Sequence, residues 1–190
     1  MTRRYPDRVD DRDRLRGIVD ALDPGDARES QDRDTVLSWV DSGAPLYRTR
    51  PPDEPPTHLV SYVVPMDRAR GELLLVAHRK SGLWLPPGGH VEPGEDPWHT
   101  AVREAGEELC MTPGPSPNPP AFLTATRTVG PGAHTDVSLW FVIETAADAI
   151  TEYDRSEFDG IAWLSPAEIL RRPSHTMDPE LQRFVTKVCR

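Results

Sequence analysis

Residues 89–111 read GHVEPGEDPWHTAVREAGEELCM, and they predict a loop followed by an amphipathic helix. Asp96 and Pro97 form a favourable helix start, because an Asp side chain accepts hydrogen bonds from unpaired N–H groups and proline at the first helical position removes no needed donor. We therefore predict a helix from about Pro97 to Leu109. At 3.6 residues per turn, one face of this helix carries its apolar residues, Trp98, Ala101, Val102, Ala105 and Leu109.

An adjoining face of the predicted helix carries three carboxylates, Glu104, Glu107 and Glu108. At this spacing each pair repels by roughly 0.2–0.5 kcal/mol on an isolated helix. Arg103 can bridge Glu107, but one guanidinium leaves a net negative cluster that suits a hard divalent ion such as Mg²⁺. Ahead of the helix, the loop at residues 86–89 reads PPGG and lets backbone approach a ligand closely. These features predict a phosphate-plus-metal site, and the alternative is a solvated surface helix.

The same residues stand at the offsets of the motif G-x5-E-x7-R-E-U-x-E-E-x-G-U, where U is a bulky apolar residue. The chain therefore resembles the Nudix hydrolases (MutT-like) at Gly89, Glu95, Arg103, Glu104, Glu107 and Glu108. It departs from the motif at two positions, since Cys110 replaces the second glycine and Ala105 is small for its apolar slot. The glycine normally closes the helix in a left-handed conformation, which costs a residue with a Cβ about 1 kcal/mol. We expect an altered helix end and an intact site.

The resemblance implies an α/β (α+β) Nudix fold, with a mixed β-sheet sandwiched between helices. It implies hydrolysis of a phosphoanhydride bond in a nucleoside diphosphate linked to another moiety, with Mg²⁺ or Mn²⁺ as cofactor. The implied metal ligands are Glu104, Glu107 and Glu108 with the Gly88 carbonyl.

The resemblance leaves the general base open, because Nudix relatives differ in which glutamate takes the proton from water. Glu104 is favoured because its position is more certain. Glu157 is the alternative, since it lies in an acidic loop before the last predicted strand, although such a loop is often only solvated. Arg103 and Glu95 are assigned to holding the carboxylates in place.

Four residues are candidates for substrate contacts: Arg79, Lys80, Trp84 and His90. The basic pair can touch phosphate oxygens, although exposed cations at strand ends are commoner than ligand contacts. Trp84 fits core or pocket wall better than a base-stacking platform. His90 and His99 have no Cys or His partner at zinc-binding spacing, so the sequence assigns no zinc site.

The substrate stays open, because the loops outside the motif carry no recognisable pattern. A nucleoside triphosphate, ADP-ribose and a dinucleotide are all compatible. The alternative function is a catalytically silent Nudix-fold nucleotide sensor that signals through N-terminal helices, but a pure binder has no need of three mutually repelling glutamates. An isomerase of the isopentenyl diphosphate type shares the fold, but Cys110 does not match the placement of its catalytic cysteine.

Composition limits the classes of partner. A chain of 190 residues can bury one substantial core, with a small helical appendage. The net charge of −9 argues against nonspecific binding to nucleic acid or anionic membranes. Two cysteines are too few for a disulfide framework, and no apolar stretch resembles a membrane span or a secretory signal. We expect a reduced, cytoplasmic protein with a small-molecule nucleotide substrate, and a homodimer is compatible with the helical extension.

Three regions are predicted: a helical N-terminal extension at residues 1–50, a Pro-rich linker at 51–56, and a Nudix domain at 57–190. The extension should hold an amphipathic helix around Leu15–Leu22 and a second helix over Gln31–Asp41. A DNA-reading helix-turn-helix is disfavoured, because the segment is rich in Asp and its break contains proline. The strands expected from β-branched and apolar runs are Leu59–Val64, Glu72–His78, Phe122–Val129, Val137–Glu144 and Ile161–Leu164.

Turn and capping signals complete the pattern. Gly130-Pro131-Gly132 and the His134-Thr135-Asp136 corner should separate the third and fourth strands. Ser165-Pro166 and Asp178-Pro179 should start the last two helices.

Overall fold

A seven-stranded mixed sheet with helices on both faces is the framework of the protein. The computed structural model describes residues 9–49, 55–114, 117–128 and 133–189. Most of the predicted linker and the Gly130–Gly132 connection lie outside these residues. The helices are α1 Val9–Asp20, α2 Ala27–Asp41, α3 Pro97–Leu109, α4 Pro166–Arg171 and α5 Leu181–Val188, and the strands are β1 Thr57–Asp67, β2 Glu72–His78, β3 Leu83–Leu85, β4 Gly88–His90, β5 Phe122–Arg127, β6 Thr135–Glu144 and β7 Phe158–Leu164.

Strand β1 is the centre of the sheet. It runs parallel to β6 from the pair Thr57–Thr135 to the pair Met66–Glu144. On its other side, its first half pairs with β4 and its last residues pair with β2, both antiparallel. Strand β5 extends the sheet beyond β6, and β7 pairs with β2. This topology places the short strand β4 beside the beginning of β1.

The two faces of β6 bury different cores, as its alternating apolar pattern predicts. Leu139 and Phe141 lie in the core formed with α1, α2 and α3, whereas Trp140 lies in the core formed with α4 and α5. A strand covered on both sides is expected to be apolar on both sides. The predicted sandwich of a mixed sheet between helices is confirmed.

Helix α3 has the predicted bounds because both of its ends are set locally. The Asp96 side chain accepts a hydrogen bond from the Trp98 N–H at 2.9 Å, and Pro97 is the first helical residue. At the other end, Cys110 has φ 52° and ψ 26°, and its N–H donates to the Ala105 carbonyl. Among the described residues it alone combines a side chain with a positive φ. The altered helix end expected at Cys110 is therefore wrong, because the cysteine adopts the left-handed conformation that a glycine would have there.

The N-terminal helices pack onto the sheet. Leu15 and Val19 of α1 and Val36 of α2 belong to the same core as Leu123 and Phe141. The predicted start of α2 at Gln31 is wrong: the helix starts at Ala27, because the Asp26 side chain caps it by accepting from the Glu29 N–H at 2.7 Å.

A buried carboxylate fixes this helix to the sheet and to α5. The Glu29 side chain is fully buried, and its Oε1 accepts from the Leu123 N–H at 3.1 Å and lies 2.8 Å from Lys187 Nζ. Its Oε2 accepts from the Gly25 N–H at 2.7 Å.

The division of the chain at residues 51–56 stays a prediction.

All five predicted strands are present, most with shifted ends, and the two short strands β3 and β4 were missed. Strand β1 is longer than predicted at both ends, and β7 starts at Phe158 instead of Ile161. Strand β4 lies in what the sequence predicted to be a loop, because a strand that contains two glycines has little intrinsic β-propensity and forms here by pairing with β1. None of the helices in the described parts of the chain is long and apolar enough to cross a membrane.

Candidate active site

Arg103 is the centre of a hydrogen-bond network that holds the acidic face of α3. Its Nε lies 3.1 Å from Glu95 Oε1, and its Nη2 lies 3.2 Å from Glu95 Oε2, a bidentate contact. Its Nη1 donates to Glu104 Oε1 at 2.8 Å and to Glu107 Oε2 at 3.1 Å. Glu95 is fixed in turn by the Thr100 hydroxyl at 2.7 Å. These contacts raise the pKa of Arg103 and keep its charge among the carboxylates.

Glu104 and Glu108 project from α3 beneath strand β4 and are 9% and 6% exposed. The Gly88 N–H donates to Glu108 Oε2 at 2.8 Å. A Cβ on Gly89 would lie 2.1 Å from Glu104 Oε1, and a Cβ on Gly88 would lie 2.3 Å from the Ser61 carbonyl oxygen. The two glycines therefore permit the close packing of β4 between α3 and β1.

Burial and neighbouring carboxylates raise the pKa values of both carboxyl groups. For Glu108 the main cause is burial, followed by the charge of Glu104, and together they raise its pKa to about 9 against the opposing Gly88 N–H. For Glu104, burial raises the pKa more than Arg103 lowers it. The charge of Glu157 raises the pKa of both groups, which places this loop residue close to the cluster.

The residues fit a hard divalent cation. Glu104 and Glu108 offer buried oxygen donors whose repulsion Arg103 offsets only in part, and Glu107 adds a carboxylate with a side chain that is 62% exposed. A cation bound here would favour the charged forms that burial disfavours. The exposed Glu157 stands on a loop anchored to the helix, since the Asp154 N–H donates to the Glu108 carbonyl at 2.8 Å.

A cavity of about 390 Å³ opens beside this cluster. It is lined by Arg48, His90, Arg103 and Glu104 together with Thr49, Val91, Glu92 and Pro93. Two guanidinium groups and a buried carboxylate therefore face one space. Arg48 was missed by sequence analysis, because no motif marks it and only the fold brings the end of the N-terminal segment to β4.

The other predicted substrate contacts lie elsewhere. Arg79 pairs with Asp159 at 3.1 Å, Lys80 is exposed, and the Trp84 ring lies under the Arg172 guanidinium at 5.3 Å. None of these three lines the cavity beside Glu104 in the described part of the chain. The structure places Trp84 at the edge of the core of α4 and α5, as a wall residue.

His90 has histidine neighbours that the sequence spacing did not reveal. Its Nε2 lies 3.2 Å from His58 Nε2, and His58 Nε2 lies 3.2 Å from Asp136 Oδ1. His134 Nε2 lies 3.2 Å from the same Asp136 oxygen. The sequence identified His134 and Asp136 only as a corner, because strand pairing with distant residues is what brings them to His58.

Comparison with known proteins agrees with this geometry. A family model described as a NUDIX domain matches residues 56–188. Over 40 residues the chain is 52% identical to an asymmetrical bis(5'-nucleosyl)-tetraphosphatase of Caenorhabditis elegans, a match that covers 21% of this chain and 29% of that protein. Over 105 residues it is 31% identical to phosphatase NudJ of Shigella boydii, covering 54% of this chain and 66% of that protein.

A solved structure shows the same fold. The crystal structure of a C. elegans Ap4A hydrolase binary complex matches with a TM-score of 0.53 and 19% identity, covering 69% of this chain and 94% of that one. The chain spans less than two thirds of the length of the two curated relatives above.

Proposed function

This chain belongs to the Nudix family, and on that premise we propose that it hydrolyses a phosphoanhydride bond in a nucleoside diphosphate linked to another moiety. The observation that carries the proposal is the buried pair Glu104 and Glu108. Arg103, itself paired with Glu95, holds Glu104 beside Glu107, and the Gly88 N–H holds Glu108. The metal would be Mg²⁺ or Mn²⁺, held by the three glutamates with the Gly88 carbonyl.

The chemical problem is to bring water to a phosphorus atom that is shielded by negative oxygens. A divalent ion bound at the glutamates supplies charge neutralisation and lowers the pKa of water. Arg103 and Glu95 keep the carboxylates in one arrangement, so that little reorganisation is needed when substrate binds. Arg48 and Arg103 line the adjoining cavity and would bind phosphate oxygens there.

Glu104 is the favoured general base. It lines the cavity, and burial raises its pKa, which makes its carboxylate a stronger proton acceptor. Glu157 is the alternative base, since its exposed side chain is free of the packing that holds Glu104 under Gly89.

The substrate class remains that of a nucleoside diphosphate derivative. The named relatives include a dinucleoside tetraphosphatase and a phosphatase, which favours a polyphosphate chain as the feature recognised. The cavity agrees with this choice, because its arginines and histidine suit the negative oxygens of phosphates better than the less polar ring of a nucleobase. The cytoplasmic location and the homodimer stay predictions.

Product analysis tests the proposal. Purified protein would be incubated with Mg²⁺ and a panel of nucleoside triphosphates, ADP-ribose and dinucleoside polyphosphates, and mononucleotide, phosphate and pyrophosphate would be quantified by chromatography. We expect cleavage of at least one class, with Glu104→Gln reducing turnover by at least about a hundredfold. Glu152→Gln, which removes an exposed loop carboxylate, is the matched control and should keep normal turnover. Tight nucleotide binding without products would instead support the sensor, and normal turnover of Glu104→Gln would remove that residue from the mechanism.

A further inference from the structure

A cluster of three histidines and one aspartate lies beside the glutamate site, and its ligand atoms already face one another. We infer that His58, His134 and Asp136, with His90 as a fourth ligand, form a second metal site, one for a borderline transition-metal ion, best Zn²⁺. One ligand atom from each of the first three residues lies within 4.8 Å of the others. This inference does not depend on the proposed hydrolysis.

The distances have the scale of a tetrahedral site. Zn²⁺ binds His nitrogen at about 2.0–2.1 Å and carboxylate oxygen at about 2.0–2.2 Å, so that two ligand atoms of a regular tetrahedron lie about 3.3–3.5 Å apart. Asp136 Oδ1 lies 3.2 Å from His58 Nε2 and 3.2 Å from His134 Nε2. His90 Nε2 lies 3.2 Å from His58 Nε2. Binding to His58, His134 and Asp136 therefore needs only small side-chain movements, whereas His90, which lies outside this 4.8 Å group, has to move farther.

The outer hydrogen bonds engage Nδ1 of two imidazoles and leave Nε2 of each directed at the cluster. His58 Nδ1 lies 2.9 Å from the Pro55 carbonyl oxygen, which can only accept, so Nδ1 carries a proton and Nε2 is the nitrogen left for a metal. His134 Nδ1 lies 3.2 Å from Thr128 Oγ1. A ring nitrogen bonded to a carbonyl or hydroxyl oxygen, with the opposite nitrogen directed inward, is the usual support of a metal-ligating histidine.

One buried oxygen of the cluster lacks an aligned hydrogen-bond partner in the described residues, and a buried ring nitrogen, His58 Nε2, lies 3.2 Å from the His90 ring nitrogen. Asp136 Oδ1 is buried and accepts no aligned hydrogen bond in the described residues, despite its two histidine neighbours. Such atoms are costly to bury unless something binds them. His58 is fully buried, so no bulk water satisfies its inward nitrogen. A cation at the centre of the cluster would bind both.

A guanidinium group already occupies part of this position. Arg48 Nη1 lies 3.1 Å from His90 Nε2, and within the part of the chain that the structure describes Arg48 Nε is buried without a hydrogen-bond partner. Arg48 thus places a positive charge against the lone pair that the fourth ligand would use. Metal binding has to displace it, and removal of the guanidinium should tighten binding.

The donor set selects the type of ion. Imidazole nitrogens suit Zn²⁺ and neighbouring transition metals, whereas Mg²⁺ prefers the carboxylates and carbonyls of the glutamate site. The ligands come from β1, β4 and the start of β6, so an ion here would join three strands. Since β4 carries the glycines that pack on Glu104, the bound ion would also fix the neighbouring site.

Metal titration of variants tests the inference. Chelator-treated protein would be titrated with ZnCl₂ by calorimetry in a Cys110→Gly, Cys189→Ser background, which removes the two exposed thiols. We expect one tightly bound Zn²⁺ per chain, with affinity reduced at least about tenfold by His134→Gln and by Asp136→Asn. His99→Gln, at an exposed histidine of α3, is the matched control and should bind normally.

The glutamate site needs its own control. Zn²⁺ affinity should persist in Glu104→Gln, and Arg48→Gln should increase it. Unchanged binding in both His134→Gln and Asp136→Asn, or a loss of binding in Glu104→Gln instead, would overturn the assignment and leave a metal-free His–Asp ion pair.

A measurement on the background protein alone avoids any dependence on folding of the ligand variants. Co²⁺ in place of Zn²⁺ should give the intense visible absorption of tetrahedral coordination and should be displaced by one equivalent of Zn²⁺ per chain. The weak absorption of an octahedral, all-oxygen site would contradict the inference.

Discussion

Substitution of Glu108 by glutamine should change how stability depends on pH in the absence of metal. The carboxyl group has an ordinary pKa of 4.5, and burial beside Glu104 raises it to about 9 in the folded protein. Between these values the folded state binds more protons than the unfolded chain. The contribution of this carboxyl group to stability is therefore fully present below pH 4.5 and is lost as the pH rises towards 9.

The magnitude follows from linkage. One pKa unit corresponds to about 1.4 kcal/mol, so a single fully coupled group lowers the free energy of unfolding by up to about 2.7 kcal/mol between pH 6 and pH 8. Glutamine keeps an oxygen that can accept from the Gly88 N–H, and it carries no charge. Metal-free Glu108→Gln should thus lose much less stability over this range than the wild type.

The assay is urea unfolding followed by the fluorescence of the five tryptophans at pH 6, 7 and 8 in chelator. Added Mg²⁺ should restore the stability of the wild type at pH 8, because a ligand that binds only the folded state stabilises it, and should do less for the variant. Glu152→Gln should follow the wild type. Equal pH dependence of the wild type and Glu108→Gln in chelator would refute the claim that an uncompensated buried carboxylate sits under β4.

Three further substitutions have defined expectations. Gly89→Ala should displace Glu104, since the added Cβ meets its Oε1 at 2.1 Å. It should lower the free energy of unfolding by about 1–3 kcal/mol and weaken Mn²⁺ binding measured by electron paramagnetic resonance. The control Gly106→Ala, whose Cβ meets nothing closer than 3.7 Å, should raise the free energy of unfolding by about 0.5–1 kcal/mol. Cys110→Gly should raise the free energy of unfolding by about 1 kcal/mol at the left-handed helix end, and an unchanged urea midpoint would contradict that strain. Glu29→Ala should lower the free energy of unfolding by about 3–5 kcal/mol, because it leaves Lys187 without its buried partner. The exposed control Asp34→Ala should change it little, and thermal unfolding measures both.

The helices were predictable where their ends are coded locally. Asp96-Pro97 and Ser165-Pro166 gave correct starts for α3 and α4, because a cap and a first-turn proline act within a few residues. The start of α2 was missed although Asp26 and Glu29 have the spacing of a cap. The apolar periodicity farther along the helix gave no sign of this first turn, which is held by contacts to β5 and α5.

The acidic site was predictable because its motif lies on one helix and one loop. The spacing on α3 alone brings Glu104, Glu107 and Glu108 to one side of the helix. The histidine cluster was not predictable in this way. His58 and Asp136 meet through the parallel register of β1 and β6, and no local pattern fixes the register of strands so far apart in the chain.

Strand β4 connects the two sites through consecutive residues. The Gly88 N–H binds Glu108, Gly89 makes room for Glu104, and the His90 side chain contacts His58 while its carbonyl accepts from Arg103 Nη2 at 3.4 Å. Pairing with β1 fixes all three residues together, since Tyr62, Ser61 and Val60 are their partners in turn. A displacement of β4 that changes one site therefore has to change the other. The glycines that left β4 unrecognised in the sequence are the residues that make this coupling possible, because any side chain at these positions would separate the strand from α3 or from β1.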